Sequence, residues 1–275
     1  MFVTRFAPSP TGYLHRGHAF SALTAHEAAR QANGRFLLRI EDIDATRRRP
    51  EFEAAIYEDL TWLGLSWEAP VRRQSDHLDD YQGALRRLEA NGLLYRCFRT
   101  RREIAEAIAS APHGGMEVFR GGPLPAAEEA RRLAAGEPFA WRLSLDAAAR
   151  ALGGFEGLTF TDEDRGVVQA RPELGGDVVL ARKDVGVAYH LAVVFDDALQ
   201  GITHVIRGED LREATHVQRL LQALLELPTP LYRHHRLLTG PDGRRFAKRD
   251  HSETLRELRV RGITAAELRA EMGFG

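Results

Sequence analysis

The sequence predicts an α/β fold: a parallel sheet covered by helices on both faces, assembled from two separated stretches of chain, with an inserted α+β subdomain and a short helical C-terminus. Three observations lead there. Strand-like runs alternate with helical periodicity near the N-terminus and again after residue 176. The intervening text is alanine-rich and broken by Gly-Gly and Pro, and 275 residues with 44% hydrophobic content suffice for a large core. The expected division is 1–100 for the first half of the sheet domain, 101–176 for the insertion, 177–240 for the second half, and 241–275 for a basic loop and the closing helices.

Phe2 to Phe6 read as a strand, Pro8-Ser9-Pro10-Thr11-Gly12 forces a loop, and a helical pattern begins near Gly17 with Phe20, Leu23 and Ala28 as its apolar stripe. Arg35 to Ile40 supplies the next strand. Phe52, Ile56, Leu60 and Leu63 share one helical face, as do Leu78, Tyr81, Leu85 and Leu88. In the insertion, breaks at His113-Gly114-Gly115, Gly121-Gly122-Pro123 and Gly153-Gly154 separate helical pieces, and β-like runs at Phe139–Leu143 and Leu158–Thr161 suggest a small mixed sheet. Regular α/β pattern resumes with Val178–Ala181, His190–Phe195 and Thr203–Ile206, followed by a helix carrying Val217, Leu220, Leu221 and Leu224. Thr239 to Gly243 then demands a turn, Arg244 to Arg249 form a basic loop, and short helices near Ser252–Val260 and Thr264–Met272 close the chain.

Composition narrows the function. With 38 basic against 39 acidic residues the net charge is -1, so no global basic field drives indiscriminate nucleic-acid binding, and any RNA partner must meet local patches. A single cysteine, Cys97, excludes an internal disulfide framework and a multi-cysteine metal cage. No signal peptide is legible in the first residues, and runs such as Leu191 to Phe195 are far shorter than the about 20 residues a membrane helix needs, so a cytoplasmic protein without a membrane partner is expected. Only Lys183 and Lys248 are lysines; every other basic residue is arginine.

Three constellations carry chemistry. His15-Arg16-Gly17-His18 stands where the first loop turns into the first helix, and a helix N-terminus with imidazole donors is a phosphate site; two imidazoles that merely cap the helix would give the same local sequence. Gly17 would let the backbone approach a planar base. The loop Arg245-Phe246-Ala247-Lys248-Arg249 keeps a compact ammonium in a chain that otherwise writes arginine, as expected of a group stabilising transferring phosphate; a solvated charge run is its alternative. Arg39 to Asp44 places carboxylates at the carboxyl end of a strand, where ligands bind in open α/β sheets, and Glu41 is suited to an ammonium group; an acidic helix cap is equally compatible. Arg5, Ser9, Tyr189 and Arg207 are singletons that nothing local promotes.

Taken together, Arg5-Phe6-Ala7-Pro8-Ser9-Pro10-Thr11-Gly12, His15-Arg16-Gly17-His18 and Arg39-Ile40-Glu41-Asp42-Ile43-Asp44 resemble the glutamyl/glutaminyl branch of class I aminoacyl-tRNA synthetases. Tyr189 to Asp197, Gly201 to Asp210 and Phe246 to Arg249 extend the resemblance across both halves. It implies a Rossmann-like catalytic domain in which His15 to His18 match the HIGH motif and Arg245 to Arg249 the KMSKS loop. Arg245, Ala247 and Arg249 depart from the commoner residues there, while Lys248 keeps the essential position. Conventional members continue into a helical anticodon-binding region, whereas this sequence stops about 26 residues after the loop, so no anticodon-binding domain is expected.

Short members of the branch activate L-glutamate with ATP and esterify it onto the queuosine base at the first anticodon position of tRNA(Asp). The resemblance implies that reaction, with the tRNA(Asp) anticodon stem-loop as partner and a monomer as the working form. Arg5 would pair bidentately with the glutamate side-chain carboxylate within the Phe6-Ala7-Pro8-Ser9 stretch, Ser9 helping, Glu41 would hold the α-ammonium, and Tyr189 and Arg207 would complete the pocket. His15, Gly17, His18 and Lys248 would bind ATP, the two histidines and the lysine stabilising the reacting phosphorus, with Mg2+ on the triphosphate. Basic clusters at Arg47–Arg49, Arg99–Arg102 and Arg244–Arg249 are candidates for the RNA backbone. Family members often carry a zinc site beginning Cys-x-Cys; here Cys97 is followed by Phe98 and Arg99, so no zinc is expected. Three alternatives stay open: a short synthetase charging the 3′ end of tRNA(Glu) or tRNA(Gln), a non-catalytic RNA- or nucleotide-binding paralogue, and another small H-x-G-H nucleotidyltransferase.

Overall fold

The computed structural model describes residues 1–109, 118–182, 186–238 and 253–274. In chain order the elements are β1 (Val3–Phe6), α1 (Arg16–Gln31), β2 (Arg35–Ile40), α2 (Pro50–Trp62), β3 (Glu68–Arg73), α3 (Leu78–Ala90), β4 (Leu94–Cys97) and α4 (Arg101–Ala109). There follow α5 (Ala126–Ala134), β5 (Ala140–Leu143), α6 (Leu145–Leu152), β6 (Thr159–Asp162), β7 (Gly166–Gln169), β8 (Val179–Arg182) and α7 (Tyr189–Leu199). The chain ends with β9 (His204–Gly208), α8 (Arg212–Leu224), β10 (Leu231–His235), α9 (Leu255–Val260) and α10 (Ala265–Glu271).

Two parallel sheets meet edge to edge. β1, β2 and β3 are parallel. β9, β10 and β6 are parallel as well, and β7 runs antiparallel to β6. Thr203, just before β9, stitches the two sets together. Its N–H donates to the Val3 carbonyl at 3.0 Å and its hydroxyl oxygen accepts from the Val3 N–H at 2.9 Å. The catalytic-type sheet is thus built from two sequence halves. Side chains alternate along a strand, and here the alternation feeds two cores. Phe36, Leu38 and Ile40 of β2 pack with residues of α1, α2, α9 and α10. Leu37 between them joins the core of α3, α7 and α8. Val205 and Ile206 of β9 divide in the same way, so both faces are covered.

One expectation is resolved and one changes. The run His190–Phe195, given above as part of a resuming α/β pattern without a choice of element, lies inside helix α7. Five apolar residues do not distinguish the two periods, and packing against α3 and α8 decides for the helix. Among its described residues the insertion has no sheet of its own. β5 pairs antiparallel between β4 and β8, whereas β6 and β7 extend the parallel sheet through β10. Cys97 is buried on β4 with Tyr95 and Phe119. Asp177 ties this corner together, accepting from the Tyr95 hydroxyl at 2.9 Å and from the N–H groups of Gly121 and Leu145 at 2.8 and 3.1 Å. The break at His113–Gly115, the turn at Thr239–Gly243, Lys183 and the start of the helix expected from Ser252 lie outside the described residues.

Candidate active site

Among the described residues a cleft of about 790 Å3 opens at the carboxyl ends of β1 and β9. These strands are adjacent, and the chain leaves them in opposite directions, through α1 to β2 and through α8 to β10. Such a switch point leaves a crevice where ligands bind in open α/β sheets. The cleft is lined by Arg5, Phe6, Ala7, Pro8, Ser9, His15, Gly17, His18, Glu41, Tyr189 and Arg207, the whole expected set apart from Lys248. Lys248 and the basic loop Arg244–Arg249 lie outside the described residues.

The H-x-G-H segment both caps a helix and faces the cleft. Nδ1 of His15 accepts from the Gly17 N–H at 3.1 Å, and Nδ1 of His18 accepts from the His15 N–H at 3.2 Å. The rings lie 3.8 Å apart, centroid to centroid. With both Nδ1 atoms accepting, the ring proton of each imidazole sits on Nε2, the kind of donor that a phosphate oxygen requires. A side chain at Gly17 would press its Cβ within 3.0 Å of the His15 ring, so glycine is what lets the two imidazoles share this turn. Capping and phosphate binding, posed above as alternatives, are compatible.

Behind the cleft lies a buried ionic lattice. Arg5 on β1 donates from Nε and Nη2 to both oxygens of Asp197 on α7, at 2.9 and 3.2 Å. Arg39 on β2, wholly buried, donates to Asp197 at 2.8 Å, to Glu41 at 3.0 Å and to Gln200 at 3.0 Å. Neighbouring Asp196 accepts from Arg72 at 2.7 Å, Gln74 at 2.8 Å and the Tyr81 hydroxyl at 2.8 Å. Burial alone would raise the Asp197 carboxyl, but Arg5 and Arg39 hold it below the ordinary value. Burial instead dominates at Glu41 and pushes its carboxyl up, against the pull of Arg39 and Arg5. A ligand ammonium arriving there would act against that rise, as Arg39 and Arg5 do. The Glu41 N–H also donates to the Pro8 carbonyl at 3.0 Å, which fixes the loop after β1 against the end of β2.

Tyr189 opens α7, and burial raises its phenol. Arg207 on β9 is buried with Nη1 unpartnered among the described residues. Gln74, Arg182, Asp210, His235 and Arg236 also line the cleft and were not singled out by sequence reasoning, nor were Arg39, Asp196 and Asp197 behind it. Asp196 and Asp197 stood in the motif after Tyr189, but only long-range contacts reveal what they hold. The segment after the undescribed stretch returns to the cleft: Thr254 bridges His15, the Leu255 N–H donates to Leu14 at 2.8 Å, and Arg16 pairs with Glu253 at 3.1 Å. Among the described residues no group of three or more His, Cys, Asp or Glu side chains is assembled for a metal, and no helix is long and apolar enough to cross a membrane.

A two-half parallel sheet, a crevice at its switch point and an H-x-G-H helix start facing buried carboxylate and guanidinium groups define a class I synthetase catalytic domain. The chain belongs to the family described as tRNA synthetases class I (E and Q), catalytic domain, which matches residues 1–268. It is 49% identical over 281 residues to the glutamyl-Q tRNA(Asp) synthetase of Rhodobacter capsulatus, covering 99% of this chain and 100% of that protein. It is 43% identical to the protein of the same name from Symbiobacterium thermophilum, covering 96% of this chain and 83% of that one. Among solved structures it resembles a glutamate tRNA ligase from Elizabethkingia meningosepticum in complex with its amino acid, with a TM-score of 0.74 and 29% identity. That match covers 90% of this chain and 52% of the ligase, so the chain spans about half of that structure's length.

Proposed function

We propose that the chain activates L-glutamate with ATP and transfers it to the queuosine base at the first anticodon position of tRNA(Asp). The observation that carries the first half is the convergence of Arg5, Glu41, Tyr189 and Arg207 on one cleft with the His15–His18 helix start. The names of the two relatives described above support the acceptor. In this reading Arg5 and Arg207 receive carboxylate, with Ser9 beside them, and Glu41 receives the α-ammonium. Asp197 occupies the Nε–Nη2 edge of Arg5, so the carboxylate approaches from the Nη1 side.

A glutamate carboxylate oxygen attacks the α-phosphorus of ATP, and the bond to pyrophosphate breaks. The Nε2–H donors of His15 and His18 and the ammonium of Lys248 carry the charge that builds on the phosphate oxygens. A hydroxyl of the modified base then attacks the adenylate carbonyl, forming the ester and releasing AMP. Mg2+ enters with the triphosphate and is assigned no protein ligand. The chain works as a monomer divided at residues 100, 176 and 240, the insertion lending β6 and β7 to the catalytic sheet. Arg47–Arg49, Arg99–Arg102 and Arg244–Arg249 meet the RNA backbone.

The test is transfer of labelled glutamate, with ATP, to tRNA(Asp) carrying either queuosine or guanosine at that position. Label confined to the queuosine form, and surviving periodate oxidation of the 3′ end, is expected. Label on tRNA(Glu) instead would identify a short conventional ligase, and the absence of both transfer and pyrophosphate exchange would identify a binding protein.

A further inference from the structure

Arg207 is gripped on two of its three nitrogens. Nη2 donates to the Thr215 hydroxyl oxygen at 2.7 Å, and Nε lies 3.4 Å from Nε2 of His234. The same hydroxyl lies 3.2 Å from that Nε2, and Nδ1 of His234 is 2.7 Å from Asp162 Oδ2. Asp162 is itself held by Arg212 at 3.0 Å and by the Asp164 N–H at 3.1 Å. Asp162, His234 and Thr215 are all buried and come from β6, β10 and α8, so three elements converge on one guanidinium.

The proton pattern follows from the partners. An ionised carboxylate only accepts, so the His234 proton resides on Nδ1 and Nε2 presents a lone pair. Thr215 accepts from Arg207 and therefore directs its own hydroxyl proton to that lone pair. Burial holds His234 neutral, its pKa lowered to about 4, so the pattern persists through neutral pH. One group is left over: Nη1 of Arg207, buried without a partner among the described residues, on a residue that lines the cleft. A buried donor is costly until something accepts from it.

We propose that Asp162, His234 and Thr215 form a positioning relay that fixes the Arg207 guanidinium at the wall of the cleft, where the residue meets a carboxylate of the bound amino acid. The inference rests on the glutamate reading of the cleft. It makes selectivity for an anionic substrate depend on residues that never touch that substrate.

Two measurements on the full chain decide it. Thr215→Val keeps the shape and removes the Nη2 acceptor. It is expected to raise the glutamate KM in pyrophosphate exchange about tenfold, the loss of one hydrogen bond to a charged group, with ATP KM and kcat unchanged. Thr215→Ser is expected to restore wild-type behaviour. A glutamate KM that stays put in Thr215→Val, or glutamate and ATP KM values that rise together, overturns the relay. Nitrogen NMR of labelled histidine is expected to show His234 as the Nδ1–H tautomer in the wild-type chain. In Asp162→Ala the Nδ1 acceptor is removed, and the preference for the Nδ1–H form is expected to be lost. An Nε2–H or doubly protonated His234 in the wild-type chain overturns the relay whatever the activity. The Nδ1–H form in a protein without glutamate-dependent exchange overturns instead the substrate assigned to Arg207.

Discussion

Arg5 and Asp197 are 192 residues apart in sequence and joined by two hydrogen bonds, Nε to Oδ1 at 2.9 Å and Nη2 to Oδ2 at 3.2 Å. Asp197 also anchors Arg39, which in turn holds Glu41. Both charged ends of the proposed glutamate site therefore hang on one carboxylate. Removing it strips buried Arg5 of its carboxylate partner and leaves Arg39 with Glu41 and Asp196 alone. Asp197→Ala is expected to lower stability by about 3 kcal/mol, the usual scale for breaking a buried pair from one side, and to raise the glutamate KM. Urea unfolding and exchange kinetics check this, and an unchanged midpoint refutes the anchoring role.

Arg5→Ala should act on binding more selectively. Losing a bidentate carboxylate partner is expected to raise the glutamate requirement by about 100-fold or more, with ATP KM little altered. Kinetics showing equal loss for both substrates would assign Arg5 to the fold alone.

Lys248→Ala tests the phosphate chemistry. A group that stabilises only the transition state costs about 100-fold in kcat when removed. Adenylate formation is expected to fall by that order with an unchanged thermal melt. Full activity in the variant would exclude the basic loop from catalysis.

Stability should fall on mild acidification. His190 and His234 are kept neutral by burial, their pKa values lowered from 6.5 to about 4. Their contribution is complete above pH 6.5 and is lost as the pH falls through about 4. His26, His204, His216 and His235 are lowered by burial too. Asp59 has the opposite sign: burial lifts it from 3.8 to about 6 despite Arg259 at 2.9 Å, so its contribution is complete below 3.8 and lost as the pH rises through 6. The urea midpoint is therefore expected to drop between pH 6.5 and 4.5, and more steeply in Asp59→Asn. A midpoint that rises over this range contradicts the assignment.

Metal analysis gives the last check. Purified protein is expected to hold far less than one zinc per chain, since Cys97 is the single cysteine. Near-stoichiometric zinc would require ligands of another kind.

What the sequence revealed depended on period. Helices α2 and α3 were legible because Ile56 and Leu60, and Tyr81, Leu85 and Leu88, recur at helical spacing and prove buried. Strand β3 was not, because Glu68 to Arg73 is a sheet edge carrying a proline and charges, the composition that edges tolerate. Strand β10 alternates, but its inward residues are Tyr232 and His234 rather than aliphatics. The site divided similarly. Residues in compact motifs, such as His15, His18 and Glu41, announced themselves, whereas Arg39, Asp197 and His234 acquire meaning only through partners far along the chain.

The seam at Thr203 has a consequence for biosynthesis. A nascent chain that has delivered only residues 1–100 already carries Arg5, His15, His18 and Glu41, yet has no Asp197 to orient the arginine and no β9 against which β1 can close. Domains fold as synthesis proceeds, but contacts of such long sequence separation form late. The pocket exists only once Tyr189 through Arg207 have left the ribosome, so a prematurely terminated product that lacks them holds the motifs of an activating enzyme without the means to hold its amino acid.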